Sequence, residues 1–307
     1  MSDTSSPLFA VIDCGTNTFH LLIAQSTAAG GFTEVYRERR FVKLAEEGIE
    51  RIGERAYARA RQALLDYAEI IAQHEVVATR VSGTAALRTA SNGPAFVADI
   101  ASATGLQIDI IPGKEEAQLI YQGVRQAIGP QPNRWMVMDI GGGSVEFIIV
   151  DEDGVRWFES FPVGVAVLYQ KLHHSEPISP SEITAARAFL QAELALLQLA
   201  LARYPVTHLV GAAGTFDVIA KVMGTHQPTP HCHAVSLANF DRFLGRVLAA
   251  NRAERHAMTD IPDNRADMIV VALLLVEEVL QMANIEQLTV SDFSMKEGML
   301  AQLLNAS

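Results

Sequence analysis

The sequence predicts an α/β fold made of two copies of one lobe with a cleft between them, and three observations carry that prediction. Runs of strand-forming residues alternate with segments of helix length along the chain. The stretch "LFAVIDCGTNTFHLLIAQ" aligns with "RWMVMDIGGGSVEFIIVD", which places Asp13 on Asp139, Gly15 on Gly141, Thr18 on Ser144 and His20 on Glu146. Between the copies, "GPQPNR" at 129–134 gathers Gly and two prolines just where the pattern restarts. The copies lie 126 positions apart, from 13 to 139, far beyond the ~20 to 50 of a solenoid repeat, so whole lobes are duplicated.

Each element follows in order. "LFAVIDCG" and "FHLLIAQ" form a hairpin, "FTEVYRERRFVKL" a third strand, and residues 53–75 a helix. Then come strand "VVATRVSG", a helix after Asn92-Gly93-Pro94, strand "QIDIIPG" and a helix from Lys114 to Ala127. The second lobe has strands at 134–140, 145–151 and 154–161, a helix near 181–203, strand "VTHLVG", and helices to the end. The lobes are expected at 1–128 and 129–293, with a C-terminal helix at 294–307 packing back on the first.

Composition excludes several classes. A chain of 307 residues can bury two cores. Its 24 Lys+Arg against 35 Asp+Glu leave a net charge of -11, which argues against a nucleic-acid or anionic-membrane surface, since phosphate backbones are held by diffuse positive charge. Two cysteines, Cys14 and Cys232, offer no disulfide framework, and "MSDTSSPLF" lacks the features of a signal peptide. The run "MIVVALLLVEEVL" is too short to span a bilayer. A reduced, cytoplasmic protein is expected, with a homodimer left open.

The two aligned turns raise the functional question. Each has an apolar strand, an Asp, a Gly-containing turn with hydroxyls, and a second apolar strand. Such a turn can aim backbone N–H groups at an anion, and Gly lets a phosphate oxygen approach the chain. Tight hairpins that need Gly for their own geometry are the alternative. Neither loop is GxGxxG and both precede strands, so a dinucleotide site is disfavoured.

Six segments taken in order carry a resemblance: "AVIDCGTNTFHLLIA", "VSGTAALRTASNG", "IIPGKEEAQLIYQGV", "VMDIGGGSVEF", "VGAAGTFDVIA" and "VSDFSMKEGML". They resemble the patterns D-x-G-S-N-S, A-T-S-A-L-R-x-A-x-N, I-x-G-x-E-E-A, D-I-G-G-G-S-x-E, G-x-x-G-T and V-S-x-x-G-L-R-E-G of the exopolyphosphatase / guanosine pentaphosphate phosphohydrolase family. The resemblance covers nearly the whole chain and implies the actin-like, ribonuclease H-like fold shared with sugar kinases and Hsp70, in the short two-domain form. Departures are Thr16 and Thr18 for serines, Ser82-Gly83 before Thr84, and Lys296 for an Arg whose bidentate contacts a lysine cannot make.

The residues are assigned on that footing. On a helix starting near Lys114, Glu116, Ile120 and Val124 share one apolar face, so Glu116 points inward, while Glu115 serves the helix dipole. The resemblance implies that Glu116 is the general base that activates water. Asp139, with Asp13 and Glu146 nearby, is expected to hold magnesium or another divalent cation, Glu146 also orienting water. Phosphate oxygens are expected to meet Gly15, Thr16, Asn17, Thr18, Thr84 and Arg88 in one lobe, and Gly141, Gly142, Gly143, Ser144, Gly214 and Thr215 in the other. "HCH" at 231–233 alternates along one short segment and does not close a zinc site alone. His173-His174 reads as a helix surface or end, and Cys14 has no His partner that would make it a nucleophile. "RERRFVK" is either a solvated strand edge or a track that steers a polyanion.

The implied activity is release of terminal orthophosphate from inorganic polyphosphate, or of the 5′ γ-phosphate of guanosine pentaphosphate. An ATP-dependent kinase of the same fold and a weakly catalytic alarmone sensor are the alternatives. No nucleic-acid or membrane partner is expected.

Overall fold

The computed structural model describes residues 7–27 and 31–306, so most of "MSDTSSPLF" lies outside the described residues. The chain divides into two compact units, Met1–Gly123 with Met295–Ser307, and Val124–Ser294.

The first unit runs β1 (Leu8–Cys14), β2 (Thr18–Ser26), β3 (Phe32–Phe41), α1 (Glu54–Gln73), β4 (Ala78–Gly83), α2 (Ala85–Thr89), α3 (Gly93–Thr104), β5 (Ile108–Ile110) and α4 (Gly113–Ile128). The division between units falls inside α4. The sheet order is β3-β2-β1-β4-β5, with β1–β3 antiparallel and β4 and β5 parallel to β1. Ala10, Val11 and Ile12 are all buried, as a strand covered on both faces requires. Helix α1 buries Ala56, Ala60, Ala63, Leu64 and Tyr67 at helical spacing, and the Tyr67 hydroxyl donates to the Phe19 carbonyl at 3.0 Å.

The second unit continues with β6 (Trp135–Ile140), β7 (Val145–Asp151), β8 (Gly154–Phe161), α5 (Val165–Leu172), α6 (Pro180–Glu193), α7 (Ala195–Arg203), β9 (His208–Ala212), α8 (Gly214–Met223), β10 (Gly224–Thr229) and β11 (Cys232–Val235). Then follow α9 (Leu237–Ala249), α10 (Arg252–Ala257), a 3-10 turn at Asp263–Arg265, α11 (Ile269–Met282) and β12 (Gln287–Ser291). Its order, β10-β11-β12-β9-β6-β7-β8, contains the succession 8-7-6-9-12, which repeats 3-2-1-4-5 of the first unit. The duplicated actin-like α/β fold is therefore present as a repeated strand order, each copy around its own core. The apolar run in α11 is buried in the second core, and among the described residues no single helix is long and apolar enough to cross a membrane.

The structure departs from the sequence reading in three places. Strands β10, β11 and β12 stand where only helices were expected. The first two carry Pro and His and sit at the sheet edge with register shifts, and β12 is only five residues long. The expected helix at 181–203 is two helices that meet at 58° beside the buried Leu194, so that Leu190 and Leu197 both reach the core. His173 caps the end of α5 but is buried, and burial pushes its imidazole pKa down. The "RERRFVK" stretch lies mostly on edge strand β3, where Arg40 pairs with Glu38 and Asp66.

The last helix, α12 (Met295–Asn305), belongs to the first unit and packs against β1 and β2. Its Glu297 is fully buried and is held by Lys296 Nζ at 3.0 Å and Arg37 Nη2 at 3.3 Å. Lys296 thus works as a buried counter-charge. Glu297→Ala is expected to cost ~3–5 kcal/mol, because the ammonium loses its partner. Replacing Lys296 by Met and Glu297 by Leu together is expected to cost less than the single change. Chemical denaturation of the two variants checks the order.

Candidate active site

Parallel strands carry ligands at their carboxyl ends, and the candidate residues of the first unit lie there. Asp13 is near the end of β1, Thr84 follows β4, and Glu116 stands in the first turn of α4 after β5. The β1–β2 turn is closed by Gly15 N–H donating to the Thr18 carbonyl at 3.1 Å. A Cβ at Gly15 would lie 2.9 Å from that carbonyl oxygen, so the turn itself demands Gly. The Thr16 carbonyl accepts from Leu44 at 2.8 Å, and the Asn17 carbonyl from Val42 at 2.9 Å and Lys43 at 3.1 Å. Asp13 pairs across the strands with His20.

Glu116 is only 6% exposed, and its Oε2 accepts from Arg88 Nη1 at 3.1 Å. The same Nη1 donates to the Ile111 carbonyl at 2.7 Å, so both contacts use one edge of the guanidinium. Its planar fork suits an anion with two acceptors. Glu115 faces outward and pairs with Arg80 at 2.8 Å. The two adjacent acids are thus separated by helix geometry. Thr84 is buried, and its N–H donates to the Cys14 carbonyl at 3.3 Å. The Cys14 thiol is buried with its pKa pushed up, first by burial and then by the Asp13 charge, which makes it a poor nucleophile.

The second unit repeats the turn. Gly141 N–H donates to the Ser144 carbonyl at 3.0 Å, and a Cβ at Gly141 would lie 3.0 Å from that oxygen. The carbonyls of Gly141, Gly142 and Gly143 accept from Val165 at 3.1 Å, Ala166 at 2.9 Å and Gly164 at 3.2 Å, at the start of α5. Gly142 and Gly143 are buried, and their N–H groups donate no backbone hydrogen bond among the described residues. Buried N–H groups require an acceptor, and an anion would supply one.

Asp139 and Glu146 are register partners across β6 and β7, so their side chains share a face, 7% and 2% exposed. Glu146 is in turn opposite Ser160 on β8, whose hydroxyl donates to Oε1 at 2.7 Å. Directly opposed carboxylates repel, and a divalent cation between oxygen donors relieves that. Among the described residues no group of three or more His, Cys, Asp or Glu could hold a metal. Two carboxylates without a third ligand fit magnesium, which keeps waters and takes substrate phosphates, and do not fit a closed zinc site. Asp13, facing His20 in its own unit, lacks this second carboxylate. In "HCH", Cys232 is buried, His233 pairs with Asp292 at 3.2 Å, and His231 stacks on Phe293.

Gly214 and the buried Thr215 start α8 just after β9, the strand beside β6. Ala213 before them has φ 67°, a strained backbone for a residue with a Cβ. Arg265 lies over this helix start: a Cβ at Gly214 would sit 1.7 Å from its Nη2. Sequence reasoning missed Arg265, Ser160 and Ser294, whose hydroxyl bonds Asp139. Arg265 is 51 positions from Gly214 and carries no local pattern that marks it.

Two glycines give opposite expectations. At Gly214 the obstacle is the far end of a flexible side chain, so Gly214→Ala is expected to leave stability within ~1 kcal/mol while displacing Arg265 and weakening tripolyphosphate binding. At Gly164 a Cβ would meet the backbone of Gly142 and Gly143 at 2.5 Å, so Gly164→Ala is expected to lower stability by ~1–3 kcal/mol. Thermal melting and calorimetric titration with tripolyphosphate distinguish the two.

Comparison with known proteins places this arrangement. Exopolyphosphatase 2 of Mycobacterium tuberculosis is 32% identical over 313 residues, covering 96% of this chain and 98% of that protein. The guanosine-5'-triphosphate,3'-diphosphate pyrophosphatase of Aeromonas salmonicida is 29% identical, matching 98% of this chain and 60% of its own length. A crystal structure of an exopolyphosphatase from Cytophaga hutchinsonii superimposes with a TM-score of 0.92 at 34% identity, covering 97% of this chain and 98% of that one. The model of the Ppx/GppA phosphatase family matches residues 22–307, and the chain belongs to that family.

Proposed function

We propose that this protein releases terminal orthophosphate from inorganic polyphosphate, with Glu116 taking the proton of the attacking water. The observation that carries the reading is the buried position of Glu116 at the carboxyl edge of the first sheet, held by Arg88, while Glu115 beside it faces outward. A carboxylate held in one orientation is suited to general base catalysis, typically ~10²–10⁴-fold. The exopolyphosphatase relatives match along their whole length, which favours polyphosphate. Hydrolysis of guanosine pentaphosphate is a second reading, favoured by the Aeromonas salmonicida relative.

The roles of the other residues follow from charge. The N–H groups of the two turns and the helix start at Gly214 bind phosphate oxygens, and Thr16, Thr18, Thr84 and Ser144 add hydroxyls. The fork of Arg88 takes phosphate oxygens on the edge turned from Glu116. Asp139 and Glu146 would hold magnesium, which supplies positive charge to phosphoryl oxygens when bound. Ser160 fixes the Glu146 carboxylate for that task.

Two substitutions test this. Glu116→Gln keeps the shape but cannot take the proton, so kcat and kcat/KM are expected to fall together by ~10²-fold or more while polyphosphate still binds. Glu115→Gln is expected to change the rate little. A Glu116→Gln enzyme with wild-type phosphate release would sink the assignment. Asp139→Asn is expected to raise the magnesium concentration for half activity and to lower the rate, and an unchanged magnesium titration at full activity removes Asp139 from the site.

A further inference from the structure

We infer that Ser294 is the positioning residue that holds the Asp139 carboxylate in the orientation a divalent cation needs. The inference rests on the reading of Asp139 as a metal ligand. The Ser294 hydroxyl donates to Asp139 Oδ2. Ser294 follows β12, which is separated from β6 by β9 alone, two strand spacings or ~10 Å away. The β9 residue in register with Asp139 is Ala212, whose single methyl leaves the carboxylate and the hydroxyl room to meet.

The loop that carries Ser294 is itself fixed. The buried Ser291 hydroxyl donates to the Phe293 carbonyl at 2.7 Å and accepts from the Phe293 N–H at 3.1 Å. Asp292 N–H donates to the His231 carbonyl at 3.0 Å, and its carboxylate pairs with His233 Nε2 at 3.2 Å. The His231 ring stacks on Phe293, centroids 4.3 Å apart. The "HCH" segment thus clamps the loop. A hydroxyl on one carboxylate oxygen sets the side-chain rotamer and directs the other oxygen, the task of an outer partner of a metal ligand. The pattern V-S-x-x-G-L-R-E-G has glycine at the position of Ser294, and glycine offers no hydroxyl, so the contact is a feature of this chain.

The test is Mn2+ binding in the presence of inorganic phosphate, followed by electron paramagnetic resonance, alongside the metal concentration for half-maximal phosphate release. Wild type, Ser294→Ala, Ser294→Thr and Asp139→Asn are compared. Ser294→Ala is expected to weaken Mn2+ binding ~10–100-fold, and Ser294→Thr, which keeps the hydroxyl, to recover most of it. A merely structural serine would not show rescue in the metal affinity. Wild-type Mn2+ binding by Ser294→Ala, with binding lost in Asp139→Asn, overturns the role of Ser294 alone. Equal binding by all four, absent binding included, removes Asp139 as a ligand and the inference with it. If Ser294→Ala does not fold, Ser294→Gly is judged by the same outcomes.

Discussion

A single backbone hydrogen bond, from the Gly N–H to the carbonyl three residues on, closes the first hairpin of each unit, at Gly15 and again at Gly141. It fixes the register of the two strands that follow, and register in a sheet decides which face every side chain takes. A slip of one residue would move Asp13 away from His20 and Asp139 away from Glu146. The same closure sends the turn carbonyls toward 42–44 in one unit and toward the start of α5 in the other. In the second unit the committed carbonyls leave the buried Gly142 and Gly143 N–H groups without a backbone acceptor among the described residues, which the proposed anion contact would supply. Gly15 and Gly141 serve the turn first, whatever they bind.

Duplication repeats the strand order but not the chemistry placed on it. Opposite the Asp of each turn stands His20 in one unit and Glu146 in the other. A histidine across from a carboxylate can pair with it, whereas a second carboxylate sets like charge beside it. After the fifth strand of the repeated order a helix follows in each case: α4 after β5 carries Glu116 in its first turn, α12 after β12 carries Glu297 in its first turn, and Ser294 lies in the link before α12. The two units therefore differ in the residue that faces the Asp of each turn, on a strand order that both share.

Much of this was legible in the sequence because it is local. Strand, turn and strand lie within about 18 residues in each copy, and the helical period alone separates Glu116 from Glu115. The residues that escaped notice reach the site through tertiary pairing. Ser160 meets Glu146 through a strand register, Ser294 meets Asp139 from 155 positions away, and Arg265 reaches Gly214 from a short 3-10 turn. The bend at Leu194 has no Pro or Gly to announce it, only the need of two apolar helix faces for one core. The β10–β11 edge hid for the opposite reason: its Pro and His residues look like a loop, and only the paired β12 makes it a strand.

The net charge of -11 bears on how the proposed phosphate contacts could work. In the basic stretch on β3, one reading of which was a track for a polyanion, two of the three arginines pair with acids: Arg37 with Glu34 and Glu297, Arg40 with Glu38 and Asp66. Charge that is neutralised within the fold contributes little to a long-range field. On the proposed reading, attraction for a phosphate would come from short-range donors within each unit: the first turn and the fork of Arg88 in one, the second turn and the start of α8 in the other. Such donors act only on an oxygen that reaches them, so they do not depend on a positive field over the whole surface.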